Sequence, residues 1–155
     1  MNIEEFKKLK ETYKNAIKKE GKKLFTEQFK NLFDQSPELV EVQWVQYVPH
    51  FNDNNAYIFR VHDFSYLFSD FSESEKELYE EEPYELTVSD FDPDRKYGKP
   101  NSTASKERYE LLTEFEKMPL DEDVFQEIFG SDCKVIASKD KKGEIKFAVE
   151  EYEHD

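Results

Sequence analysis

The sequence predicts an α+β fold: a long N-terminal helix, an antiparallel sheet built from two hairpins plus a middle strand, and helices packed on one face. Three observations carry this. Apolar residues recur at three- and four-residue steps over residues 3–33. They alternate at two-residue steps around residues 40–44, 57–61 and 135–149. The segments follow the order helix, hairpin, irregular middle, two helices, hairpin, which suits one antiparallel sheet with helices layered on it. At 155 residues the chain has the length of one domain, taken as 1–155, and can bury one sizeable core.

In the first element Ile3, Phe6, Leu9, Tyr13, Ile17, Leu24, Phe25, Phe29, Leu32 and Phe33 mark one side of a helix, and lysines fill the other, a solvated face. Asn2 and Glu5 have the spacing of an N-terminal capping box. Gly21 is a point where this stretch can divide into two helices, because glycine costs about 1 kcal/mol inside one. Ser36-Pro37 ends it.

Val40, Val42 and Trp44 then alternate with Glu41 and Gln43. The phase slips at Trp44-Val45, which predicts a bulge or a strand covered on both faces. Residues 49–55 are rich in turn formers, and Tyr57, Phe59 and Val61 alternate again, so residues 39–62 predict a hairpin with a long loop. Phe64, Tyr66, Leu67, Phe68 and Phe71 are too apolar for a solvated linker. Residues 73–82 predict a short acidic helix, and Leu86 with Val88 a third strand. Residues 90–104 mix Asp, Pro, Gly, Asn, Ser and Lys, which predicts a mobile loop. A helix from Ser105 to Met118 follows, broken by Pro119. A second is capped by Asp121 and stopped at Gly130. Val135 and Ala137, a turn at Asp140-Lys141-Lys142-Gly143, and Ile145, Phe147 and Val149 make the closing hairpin.

Aromatic residues are 15% of the chain, enough to build a core despite 37% charged residues. No apolar run reaches the roughly 18–20 residues of a membrane span. The first residues lack the basic-then-apolar order of a signal peptide. Cys133 is the one cysteine and reads as a small buried hydrophobe. A reducing, cytoplasmic setting is expected.

The net charge is -14. Such a chain repels nucleic acid and anionic membranes, so neither is an expected direct partner. The charge is uneven. Residues 1–30 hold nine Lys and five acids, a balance of +4, which leaves -18 on the remainder. Asp70 to Asp94 is the densest stretch, with eleven acids and the single Lys76. Carboxylates spread over a rigid surface can imitate the phosphates of nucleic acid and occupy a basic groove on a partner. Glu80, Glu81, Glu82, Glu85, Asp90, Asp92 and Asp94 would carry that charge, with Tyr79, Tyr84 and Phe91 as apolar anchors.

No glycine-rich phosphate loop, Cys-x-x-Cys pair or His-Glu-x-x-His helix is present. No cofactor is expected. Each histidine lies near a carboxylate: His50 before Asn52-Asp53, His62 beside Asp63, His154 between Glu153 and Asp155. Imidazole with carboxylates can bind a transition metal or act as a general base. His50, Asp53, His154 and Asp155 are therefore the candidates for such a site, which requires the loop and the C-terminus to meet. Trp44-Val45-Gln46-Tyr47 could line a pocket, but reads first as core.

Two segments resemble a family of small acidic proteins from bacterial and tailed-phage genomes. One is Val42-Gln43-Trp44-Val45-Gln46-Tyr47-Val48-Pro49-His50-Phe51-Asn52-Asp53 followed by the strand Tyr57–Val61. The other is Phe129-Gly130 with Val149-Glu150-Glu151-Tyr152-Glu153-His154-Asp155. Together they bracket residues 25–155. The resemblance implies no activity, but it singles out Trp44, Gln46, Tyr47, Asn52, Asp53, His154 and Asp155. Asn54 stands where the family has glycine, His50 where it has tyrosine, and Glu153 where it has aspartate. The phage association implies an inhibitor of a host or defence protein.

The leading expectation is a non-enzymatic interaction protein whose acidic surface occupies a basic, nucleic-acid-binding site on another protein. The second is the metal or acid/base site at His50, Asp53, His154 and Asp155. The third is a small-ligand binder.

Overall fold

A computed structural model describes residues 1–49, 58–82, 84–118 and 120–152. The chain folds as an α+β protein around a five-stranded antiparallel sheet. Helix α1 runs unbroken from Ile3 to Gln35. Asn2 caps it, its side-chain oxygen accepting from the Glu5 amide at 2.9 Å. Gly21 does not divide the helix, contrary to expectation. A Cβ there would lie 2.8 Å from Val124 Cγ1, so glycine lets another helix approach closely.

Strand β1, Leu39–Tyr47, is the centre of the sheet. On one side it pairs with β2, Arg60–Val61, and with β3, Ser65–Phe68. On the other it pairs with β4, Cys133–Lys139, which pairs with β5, Ile145–Glu151. The slip at Trp44-Val45 comes from burial on both faces, since residues 42–46 are all buried. The register irregularity lies elsewhere, between Leu39 and Glu41. Asp140 closes the β4–β5 turn by accepting from the amides of Lys142 and Glu144, each at 2.9 Å.

The third strand is β3, not the segment at Leu86 and Val88. Leu86 has a positive φ of 58°, and Val88–Phe91 is a 3₁₀ turn. A left-handed residue cannot continue a strand. Leu86 instead gives its carbonyl to the Tyr66 amide at 3.0 Å, at the outer edge of β3.

Helix α2 spans Glu73–Glu81, α3 Lys106–Phe115 and α4 Glu122–Phe129. Helices α1, α3 and α4 pack on the Trp44 face. Phe29 of α1 stacks on Trp44 at 5.7 Å, and Phe115 and Phe125 close around them. Aromatic rings in such contacts gain more than their buried area alone. Gln46 fixes the layer: it accepts from Trp44 Nε1 at 3.0 Å and donates to the carbonyls of Phe125 and Gly130. Gln43, its side chain on the opposite side of the pleat, donates to the Tyr79 carbonyl of α2 at 2.7 Å.

Candidate functional site

The acidic segment is held more firmly than its composition suggests. Ser72 and Glu75 form a reciprocal capping box at the start of α2. Glu75 also accepts from the Ser102 hydroxyl at 2.8 Å and from the Asn101 side chain. Burial raises the Glu75 carboxyl, but hydrogen bonds from Ser72 and Ser102 outweigh it and hold it below its ordinary value. The loop 90–104, expected to be mobile, is thereby tied to α2. Asp90 adds two ties, accepting from the Thr87 amide and pairing with Arg95. Asn101 donates its amide to the Asp90 carbonyl at 2.7 Å.

These ties sort the predicted docking residues. Glu80, Glu81, Glu82, Glu85 and Asp94 are exposed. The first four have no ion pair among the described residues; Glu80 and Glu81 lie in the last turn of α2, Glu82 is its C-cap and Glu85 follows. Asp90 and Asp92 are half-buried, and their carboxylates serve the local fold: Asp92 accepts from the Asp94 amide at 2.9 Å. Two of the three expected anchors are corrected. Tyr79 is 2% exposed and Phe91 is fully buried. Tyr79 turns inward to donate to Glu41, and Phe91 packs on Tyr66, Phe68 and Phe71. Tyr84 remains available at 46% exposed.

Tyr84 belongs to an aromatic cluster at the end of the sheet. Its hydroxyl lies 2.9 Å from that of Tyr152, Tyr47 stacks on His62 at 4.6 Å, and Tyr47 lies 5.9 Å from Tyr152. Burial and the hydroxyls of Tyr152 and Tyr47 push the Tyr84 phenol above its usual range. Tyr47 ends β1 and Tyr152 follows β5, and the sheet brings them together. Trp44 and Gln46 are fully buried core residues rather than a pocket lining. His50, Asn52, Asp53, His154 and Asp155 lie outside the described residues, so the second expected site does too. Among the described residues no group of three His, Cys, Asp or Glu side chains has metal-ligating proximity.

One titratable group was missed by the sequence reading. Glu116, after α3, accepts from the buried Tyr66 hydroxyl at 2.6 Å. Burial pushes its carboxyl up to about 7, the Tyr66 bond opposes that, and the Asp63 charge adds to it. Glu116, His62 and Asp63 line one cavity of about 180 Å³ with Phe64 and Phe125. Only the tertiary fold joins Glu116 to the His62-Asp63 pair. Cys133 is buried, and its thiol, pushed up to about 11 by burial and the Asp132 charge, is no nucleophile at neutral pH.

No family model, curated protein or solved structure matches this chain. No helix among the described residues is long and apolar enough to cross a membrane.

Proposed function

We propose that the protein is a non-enzymatic interaction protein whose acidic surface engages a basic surface on another protein, of the kind that binds nucleic acid. One observation carries this reading. Glu80, Glu81, Glu82 and Glu85 stand exposed, without cation partners among the described residues, on a segment anchored at both ends, beside the half-exposed Tyr84. A backbone anchored before binding spares the cost of ordering it, and an adjacent aromatic supplies the desolvated contact that charge alone lacks. An inhibitor of a host or defence protein would work by filling such a basic site.

The test is binding of labelled protamine, a basic nucleic-acid-binding protein, across a salt series. Replacing Glu80, Glu81, Glu82 and Glu85 by Gln is expected to weaken binding about tenfold at low salt and to flatten its salt dependence. Equal affinity and equal salt slope would refute the reading. Asp90→Asn is not a test of docking, because Asp90 holds the 3₁₀ turn and Arg95.

A second reading, an acid/base centre, is favoured by Glu116, which is poised near neutrality beside His62 and Asp63. A small-molecule hydrolase panel that loses a signal on Glu116→Gln would support it.

A further inference from the structure

Helix α1 is two different objects. From Gly21 onward it packs on the body through Phe25, Phe29, Leu32 and Phe33. Residues 3–20 are almost wholly exposed, an arm of about 27 Å at 1.5 Å per residue. Yet Ile3 is 72% exposed, Phe6 58%, Tyr13 66% and Leu24 47%. With Ile17 they recur at steps of three, seven, four and seven, which is a heptad seam. Two seam positions are charged, Lys10 and Glu20.

We propose that this face is covered by the same face of a second copy of the chain, in an antiparallel two-helix coiled coil centred on residue 15. The seam chooses both direction and register. A parallel pair sets Lys10 against Lys10 and Glu20 against Glu20, buried like charges that repel. The antiparallel pair centred on residue 15 sets Phe6 against Leu24, Tyr13 against Ile17 and Lys10 against Glu20 of the other copy. Every apolar seam residue from Phe6 to Leu24 meets an apolar one and each seam cation meets an anion, while Ile3, at the end of the seam, falls opposite Glu27. Shifting one heptad toward the body sets Ile17 against Glu20, and shifting the other way sets Ile3 against Glu20 and Lys10 against Tyr13. Glu20 is available, because its present partner, Lys23 at 3.6 Å, is an exposed pair.

The area is adequate. Phe6, Tyr13 and Leu24 with the half-buried Ile17 present about 400 Å² per copy, about half of the ~800 Å² per partner of a standard interface and enough for weak association at tens of micromolar. The geometry also answers the charge. Residues 28 of the two copies lie about 39 Å apart along the axis. Body packing begins at Gly21, and the two Gly21 positions lie about 18 Å apart, so the acidic bodies are separated by about two Debye lengths of ~8 Å at physiological salt.

The experiment uses the full chain in sedimentation equilibrium. The wild type is expected at twice the 18.6 kDa chain mass at tens of micromolar protein. Lys10→Glu makes both polar layers acidic and Glu20→Lys makes both basic. At roughly tenfold per like-charge layer, each variant alone dissociates about a hundredfold more readily. Mixed one to one, the two variants pair with each other and regain the dimer. The double variant K10E/E20K regains it alone. All these side chains are exposed on the projecting arm, so the body folds in every variant. A monomeric wild type overturns the proposal, including one that binds phosphatidylserine vesicles instead. A dimer that the single variants leave intact, or that mixing does not restore, overturns the register.

Discussion

Replacing Glu116 by Gln gives a pH signature that follows from one carboxyl. Its ordinary value is 4.5 and the fold raises it to about 7. Below pH 4.5 the group is protonated in both folded and unfolded chains and contributes nothing. Between 4.5 and 7 the unfolded chain releases the proton while the folded chain keeps it. The folded state then binds more protons, so stability falls as pH rises. Above about pH 7 both forms are ionised and the loss is complete. At about 1.4 kcal/mol per pH unit, the loss approaches 3 kcal/mol. Glutamine resembles the protonated acid and still accepts the Tyr66 hydrogen, so it keeps the 2.6 Å contact without the charge. The Gln variant should match the wild type at pH 4 and exceed it by about 3 kcal/mol at pH 8. Urea titrations of both proteins at half-unit pH steps measure this, since all other groups cancel in the difference. At 2–4 °C per kcal/mol the melting temperature should rise by roughly 10 °C at pH 8. A difference that is flat from pH 4.5 to 8 would refute the assignment.

Gln46→Leu should cost about 3–5 kcal/mol in urea unfolding, because the Trp44 N–H and the carbonyls of Phe125 and Gly130 lose a buried partner together. A loss under 1 kcal/mol would contradict that arrangement. Gly21→Ala should destabilise by about 1 kcal/mol although alanine favours helix, since its Cβ would meet Val124 Cγ1 at 2.8 Å. Val124→Ala should remove that penalty in a double-mutant cycle.

Where one local rule decided the structure, the sequence was a good guide. Asn2 capped α1, Asp140 and Gly143 turned the last hairpin, and Gly130, at a φ of 104°, stopped α4. It misled where a distant partner decided. Gly21 is a helix breaker until Val124 and Ile128 arrive across it. Leu86 and Val88 have strand composition, but the β3 edge claims the Leu86 carbonyl and bends the chain there. Residues 90–104 have loop composition, and Glu75, some 26 residues earlier, ties them down. For the candidate surface, charge density marks residues 70–94. Burial then removed Tyr79 and Phe91 from it, and hydrogen bonds removed Asp90 and Asp92. The Tyr47–Tyr152 contact and Glu116 lay beyond reach, because each joins segments far apart in the chain.

The two buried glutamines of β1 hold their helices by main-chain carbonyls: Gln43 at Tyr79, Gln46 at Phe125 and Gly130. A carbonyl is present whatever side chain the residue bears. The attachment of α2 is therefore indifferent to what its outer face displays. Glu73, Glu77, Glu80 and Glu81 can each be rewritten, singly or together, without loosening the grip beneath them. A lineage under pressure from a changing partner could redraw this face one residue at a time and never pass through an unfolded intermediate. For an engineer the same indifference makes α2 a place to graft a new recognition sequence onto an unchanged scaffold.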